Sequence, residues 1–315
     1  MKAIQRLILA LLFITIMTMM AAACSNTKGT QELGDNDKVK VTVTTGMIAD
    51  TVRVVGGDRV DVTGLMKEDV DPHVYKPTQG DIQRLEQADV IFYNGLYLEA
   101  QMGEVLSSMN GIKPVVAVAE RIDPSKLLEG DLEQGEQYDP HVWFDVTLWM
   151  EVVEVIRDEL AAFDPDHADI YRENAERYLQ ELDGLHEFAK ERIAEIPKDR
   201  RYLVTAHDAF GYFGRAYDIE VVGLQGISTA SEAGMRDVTE LRDFLIEKGI
   251  GAIFVESSVS DNNIRAVQEG ARSLGHEVKI GGELFSDSMG SPGTPEGTYV
   301  GMVRHNVNTI VDALK

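Results

Sequence analysis

Two nearly identical pentapeptides, Asp71-Pro72-His73-Val74-Tyr75 and Asp139-Pro140-His141-Val142-Trp143, each place an imidazole directly after an Asp-Pro pair. Proline and histidine are scarce, at 9 and 7 in 315 residues, so composition alone does not account for the repetition. Proline fixes its own φ and steers the residue before it away from the helical region. Each histidine therefore sits on a stiff, non-helical pedestal. Neutral imidazole is the commonest side-chain ligand for metals, and a matched pair points to metal binding rather than to two core histidines. Further candidates follow strand-like runs. His207 ends Leu203-Val204-Thr205-Ala206 and is followed by Asp208, and Asp287 lies just beyond Ile280-Gly281-Gly282. Glu256 sits at another strand end and competes with Asp287 for the carboxylate role, as does Asp208. His276 and His305 lack a comparable setting, and His167 and His186 fall on the surface of a long helix.

The elements around these residues alternate. Strands are expected at 39–45, 60–65, 90–93 and 115–118, with helices at 48–55, 79–87, 98–109 and 146–163. From Pro165 to Ile196, Tyr171, Tyr178, Leu182, Leu185, Ala189 and Ile193 recur at helical spacing among many charges. That pattern predicts one amphipathic helix, roughly 45 Å long at 1.5 Å per residue. Alternation then resumes, with strands at 202–206, 219–224, 251–255 and 278–280 and helices at 210–216, 237–248, 262–274 and 298–314. The fold class is α/β, with parallel sheets flanked by helices. In such sheets ligands collect in the crevice at the carboxyl ends of the strands, where both Asp-Pro-His motifs and His207 fall. The expected domains are a signal peptide at 1–23, a flexible tether at 24–38, an N-terminal lobe at 39–164, a linking helix at 165–197 and a C-terminal lobe at 198–315.

Lys2 and Arg6, the apolar run Leu7–Met20 and the small residues Ala21-Ala22-Ala23 form an export signal, too short for a bilayer-spanning helix. Cys24, the single cysteine, follows directly and makes no intrachain disulfide. The formal net charge is −23, or −25 once Lys2 and Arg6 leave with the signal. So acidic a surface disfavours nucleic acid and attracts cations. Carboxylates scattered through 120–139, among them Glu129, Asp131, Glu133 and Glu136, fit a solvated loop.

The repeated Asp-Pro-His-Val-aromatic motif resembles the metal-binding lipoproteins of bacterial ABC importers for manganese, zinc and iron. So do Thr205–Phe213 (Thr-Ala-His-Asp-Ala-Phe-Gly-Tyr-Phe), Phe254-Val255-Glu256-Ser257-Ser258 and Leu284-Phe285-Ser286-Asp287-Ser288. The likeness runs from about Val39 to the C-terminus. It implies two Rossmann-like lobes joined by a long rigid helix, with one divalent metal ion (Mn2+ or Zn2+) between them as the transported ligand. The implied ligands are His73, His141, His207 and Asp287. Asp71, Asp139, Asp208 and Glu256 are candidates to orient them from behind. The resemblance also implies lipidation of Cys24, an extracytoplasmic monomer anchored to the cell membrane, and delivery to an ABC permease with its ATPase. Members dedicated to zinc often carry a His-rich loop before the second motif; here Glu120–Asp139 has no histidine. The expectation is a manganese importer subunit that also binds zinc, and not an enzyme. The alternative is a zinc importer subunit. A surface adhesin would leave the four ligands without a role, and a metal-dependent hydrolase would need an open coordination position and a general base.

Overall fold

Short β-branched runs separated by amphipathic helices build two lobes. The computed structural model describes residues 37–132 and 134–315; the signal, Cys24, residues 24–36 of the tether and Glu133 lie outside them. In the first lobe β1 (Val39–Val43), β2 (Val60–Gly64), β3 (Val90–Tyr93) and β4 (Val115–Ala117) form one parallel sheet in the order β2-β1-β3-β4. Helices α1 (Gly46–Gly56), α2 (Gln79–Gln87), α3 (Gly103–Met109) and α4 (Val146–Phe163) accompany it. Thr78 and Asp81 cap the start of α2 reciprocally, so the loop leaving His73 has a fixed end. Leu85, Ile91, Met102 and Leu106 fill one of the lobe's apolar clusters.

Helix α5 (Ala168–Ala194) is continuous over 27 residues, about 40 Å at 1.5 Å per residue. Its buried stripe of Tyr171, Ala175, Tyr178, Leu182, Leu185, Ala189 and Ile193 packs against α1 and α4 of the first lobe. The expected helix began at Pro165, but Pro165–His167 is a 3-10 turn in which Asp164 gathers three donors. His167 Nδ1 donates to it at 2.9 Å, Tyr171 Oη at 2.7 Å and Arg59 Nη2 at 3.1 Å. At the other end Arg201 donates to the carbonyls of Ala194 and Ile196, where the helix dipole favours a cation.

The second lobe holds β5 (Tyr202–His207), β6 (Glu220–Gln225), β7 (Ala252–Glu256) and β8 (Lys279–Leu284). Its helices are α6 (Gly211–Tyr217), α7 (Met235–Lys248), α8 (Asn262–Ser273) and α9 (Tyr299–Leu314), and α9 packs on α5. The strands form two parallel pairs, β5–β6 and β7–β8, with β5 lying beside β7. At the carboxyl end of that seam a side chain makes the link, since His207 N–H donates to Glu256 Oε1 at 2.9 Å. Val204, Ile253, Leu245, Ile264 and Val267 fill the lobe's core. The last strand runs four residues past its expected end at Ile280. It crosses Gly281 and Gly282, where a Cβ would lie 2.7 Å from the Phe254 ring and 2.4 Å from Thr309 Cγ2. Close approach by Phe254 and by α9 is what those glycines permit.

Candidate metal centre

The two Asp-Pro-His pedestals fold alike at the backbone. Asp71 Oδ1 accepts the His73 N–H at 2.9 Å, and Asp139 Oδ1 accepts the His141 N–H at 2.9 Å, a turn in which the carboxylate binds the backbone two residues on. Both loops leave the carboxyl side of the first sheet. His207 ends β5, and Asp287 follows β8. These four residues, two from each lobe, converge with their ligand atoms all within 4.8 Å of one another.

His141 Nε2 lies 3.3 Å from His73 Nε2 and 3.3 Å from Asp287 Oδ1. Asp287 Oδ2 lies 3.3 Å from His207 Nε2 and 3.9 Å from His73 Nε2. Four ligands tetrahedral about an ion at about 2.0–2.1 Å stand about 3.3–3.4 Å apart, which is the spacing of most of these pairs. All four side chains are buried, at 0–3% exposure. His207 Nε2 and both Asp287 oxygens have no well-formed hydrogen bond among the described residues. Buried polar atoms without partners cost free energy unless something else satisfies them. A divalent cation would satisfy all three at once.

The far side of each ring sets which nitrogen faces the centre. His141 Nδ1 donates to Asp139 Oδ1 at 2.7 Å, and His207 Nδ1 donates to Glu256 Oε2 at 2.5 Å. Each contact turns the Nε2 lone pair inward. Burial lowers the pKa of both histidines, but the flanking carboxylates outweigh it. Asp139 and Asp287 raise His141 to about 9, and Glu256 and Asp287 hold His207 well above its usual range. His73 goes the other way, to about 3, because burial dominates there. Burial alone would raise Asp287, yet His207 and His141 hold its carboxyl well below the ordinary range. These carboxylates bias His141 and His207 toward the protonated form, and the two imidazoles bias Asp287 toward the ionised one. A cation of charge 2+ would compete with protons for the same nitrogens.

The residues expected behind the ligands divide. Asp139 and Glu256 touch rings. Asp71 holds only the backbone of His73, because its second oxygen accepts from Thr229 Oγ1 at 2.5 Å. Asp208 makes no hydrogen bond to any of the three rings. Glu256 lies behind His207 rather than in the cluster with Asp287.

Sequence reasoning missed three contributors. Trp143 is a buried strut: its ring meets His141 edge-on at 5.2 Å and its Nε1 donates to Ser286 O at 3.0 Å, one residue before Asp287. Asn94 Nδ2 donates to Pro140 O at 3.0 Å and steadies the second pedestal. Glu136 is 2% exposed instead of solvated, buried in the strap that leads into the second motif. The remaining histidines sit elsewhere: His276 Nε2 bonds Ile250 O at 2.8 Å and His305 Nε2 bonds Glu283 O at 3.0 Å.

Residues 41–313 match the family profile described as zinc-uptake complex component A, periplasmic. The chain is 50% identical over 289 residues to the manganese-binding lipoprotein MntA of Bacillus subtilis (strain 168), covering 91% of this chain and 94% of that protein. It is 48% identical over 286 residues to the zinc-binding protein TroA of Treponema pallidum (strain Nichols), covering 91% and 92% respectively. The solved structure of periplasmic zinc-binding TroA from Treponema pallidum superposes with a TM-score of 0.85 over 88% of this chain and 99% of that one.

Proposed function

The chain belongs to the zinc-uptake complex component A family of periplasmic metal-binding proteins, and from that premise we propose which metal it captures, with which residues, and where it works. It is the metal-binding subunit of an ABC importer. It takes up a divalent transition metal outside the cytoplasm and hands it to a membrane permease driven by an ATPase. His73, His141, His207 and Asp287 are the ligands. The observation that carries this is the convergence of four buried donors from both lobes, three of their atoms without another well-formed hydrogen bond.

Three neutral imidazoles and one carboxylate bring the metal's charge of 2+ down to 1+. Asp139 and Glu256, bonded to two of the rings, make the neighbourhood tolerant of that positive charge. Both oxygens of Glu256 are taken by His207, which leaves it unsuited to act as a general base, so the centre suits capture rather than catalysis. The protein is a monomer held to the membrane by lipid on Cys24, with the lobes bounded at 39–164 and 198–315 and the helix at 165–197 between them.

Manganese is the cargo, and zinc also binds. A nitrogen-rich site binds zinc more tightly in the test tube, but availability and geometry set transport identity in the cell. The histidine-free loop 120–139 argues against a dedicated zinc scavenger. The imidazole-rich donor set supports the second reading, a zinc importer subunit. Deleting the gene should produce a growth defect in metal-depleted medium that manganese relieves at lower concentration than zinc. Rescue by zinc alone would reverse the assignment.

A further inference from the structure

The segment 226–234, which joins β6 to α7, touches the surroundings of His207 and of His73. It starts beside His207: Gln225 is the register partner of His207, and Gly226 O accepts the Asp208 N–H at 3.3 Å. Thr229 Oγ1 donates to Asp71 Oδ2 at 2.5 Å, and the other oxygen of that carboxylate holds the His73 N–H. Thr229 belongs to the second lobe and Asp71 to the first, so the segment grips the His73-bearing loop across the cleft.

The three rings are not held alike. His141 and His207 each rest Nδ1 on a carboxylate within their own lobe. Asp71 stands where Asp139 does in the repeat, yet it has no hydrogen bond to the His73 ring and faces Thr229 instead. Through that carboxylate the His73 pedestal is tied to the opposite lobe, as the His141 pedestal is through Tyr212 Oη, which donates to Asp139 O at 2.8 Å. A hydroxyl-to-carboxylate bond is short and charge-assisted, and this one must break for the His73 loop to part from the opposite lobe.

We propose that Thr229 is a latch that holds the His73 loop to the opposite lobe over the metal and slows the metal's departure, acting as a positioning residue for His73 through Asp71. This rests on the reading of the four buried residues as metal ligands. The Thr229 hydroxyl bonds Asp71 and not a donor atom of the centre, so the latch governs escape rather than the strength of the metal–ligand bonds.

The test loads the protein with zinc and mixes it with excess chromophoric chelator in a stopped-flow instrument. Thr229→Val removes the hydroxyl at nearly equal volume and should release zinc about tenfold faster, equivalent to about 1.4 kcal/mol. Thr229→Ser should restore the slow rate, and association rates should match wild type throughout. Release from Thr229→Val at the wild-type rate, or from Thr229→Ser as fast as from Thr229→Val, overturns the latch. If Thr229→Val does not fold, Thr229→Ala decides, and release from it at the wild-type rate is equally fatal. Wild-type protein that takes up no zinc defeats the ligand reading, and the latch with it.

Discussion

Replacing Glu256 by glutamine tests whether the carboxylate behind His207 tunes the metal. The substitution keeps the shape and removes the charge at a site that is 4% exposed. Glu256 accepts two bonds, from the His207 N–H at 2.9 Å and from Nδ1 at 2.5 Å. A glutamine can keep one of them, but its amide nitrogen must then face the other donor. The way out is to move the His207 proton from Nδ1 to Nε2, which removes the lone pair aimed at the centre. Losing such an outer partner typically costs 10- to 100-fold in metal affinity, about 1.4–2.7 kcal/mol. Competition with a chromophoric chelator at about pH 7.5 reads this directly. Asp208→Asn is the control, since Asp208 touches no ring, and it should stay within about threefold of wild type. Wild-type affinity in Glu256→Gln, or an equal loss in Asp208→Asn, would refute the argument.

Metal that binds only the folded chain stabilises it by about 2.7 kcal/mol at a hundred times its dissociation constant. In a thermal-shift assay His73→Ala, His141→Ala, His207→Ala and Asp287→Ala should each lose that stabilisation, while His276→Ala and His305→Ala keep it. Affinity should climb as pH rises from about 5 toward 9, because His141, held at about 9 without metal, must give up its proton to bind. Chelator titrations that give the same affinity at about pH 5 and pH 7.5 would contradict three histidine ligands. Cys24→Ser should abolish labelling by radioactive fatty acid in cells; equal labelling of wild type and variant would remove the anchor from the account.

The ligand types and the strand ends that carry them were legible because each depends on neighbours in sequence: a proline before each of two imidazoles, a β-branched run before the third. What stayed hidden depends on distant partners. Asp71 and Asp139 occupy the same place in one repeated motif, yet only Asp139 reaches its ring, because Thr229 lies within reach of Asp71. Glu136 looks like any loop carboxylate in sequence, yet the fold buries it to 2% exposure. The last strand was cut short at two glycines, a usual sign of a break, where here they admit Phe254 and α9. The division of the second lobe into two strand pairs left no trace in hydrophobic periodicity, which reports burial rather than ladder continuity.

Anomalous diffraction from crystals of the manganese- or zinc-loaded protein, collected at the metal's absorption edge, tests the centre most directly. The account predicts a single strong peak between the lobes, about 2.0–2.2 Å from Nε2 of His73, His141 and His207 and from a carboxylate oxygen of Asp287. A peak bonded to Glu256 or Asp208 in place of Asp287, or one outside the cleft altogether, would contradict it.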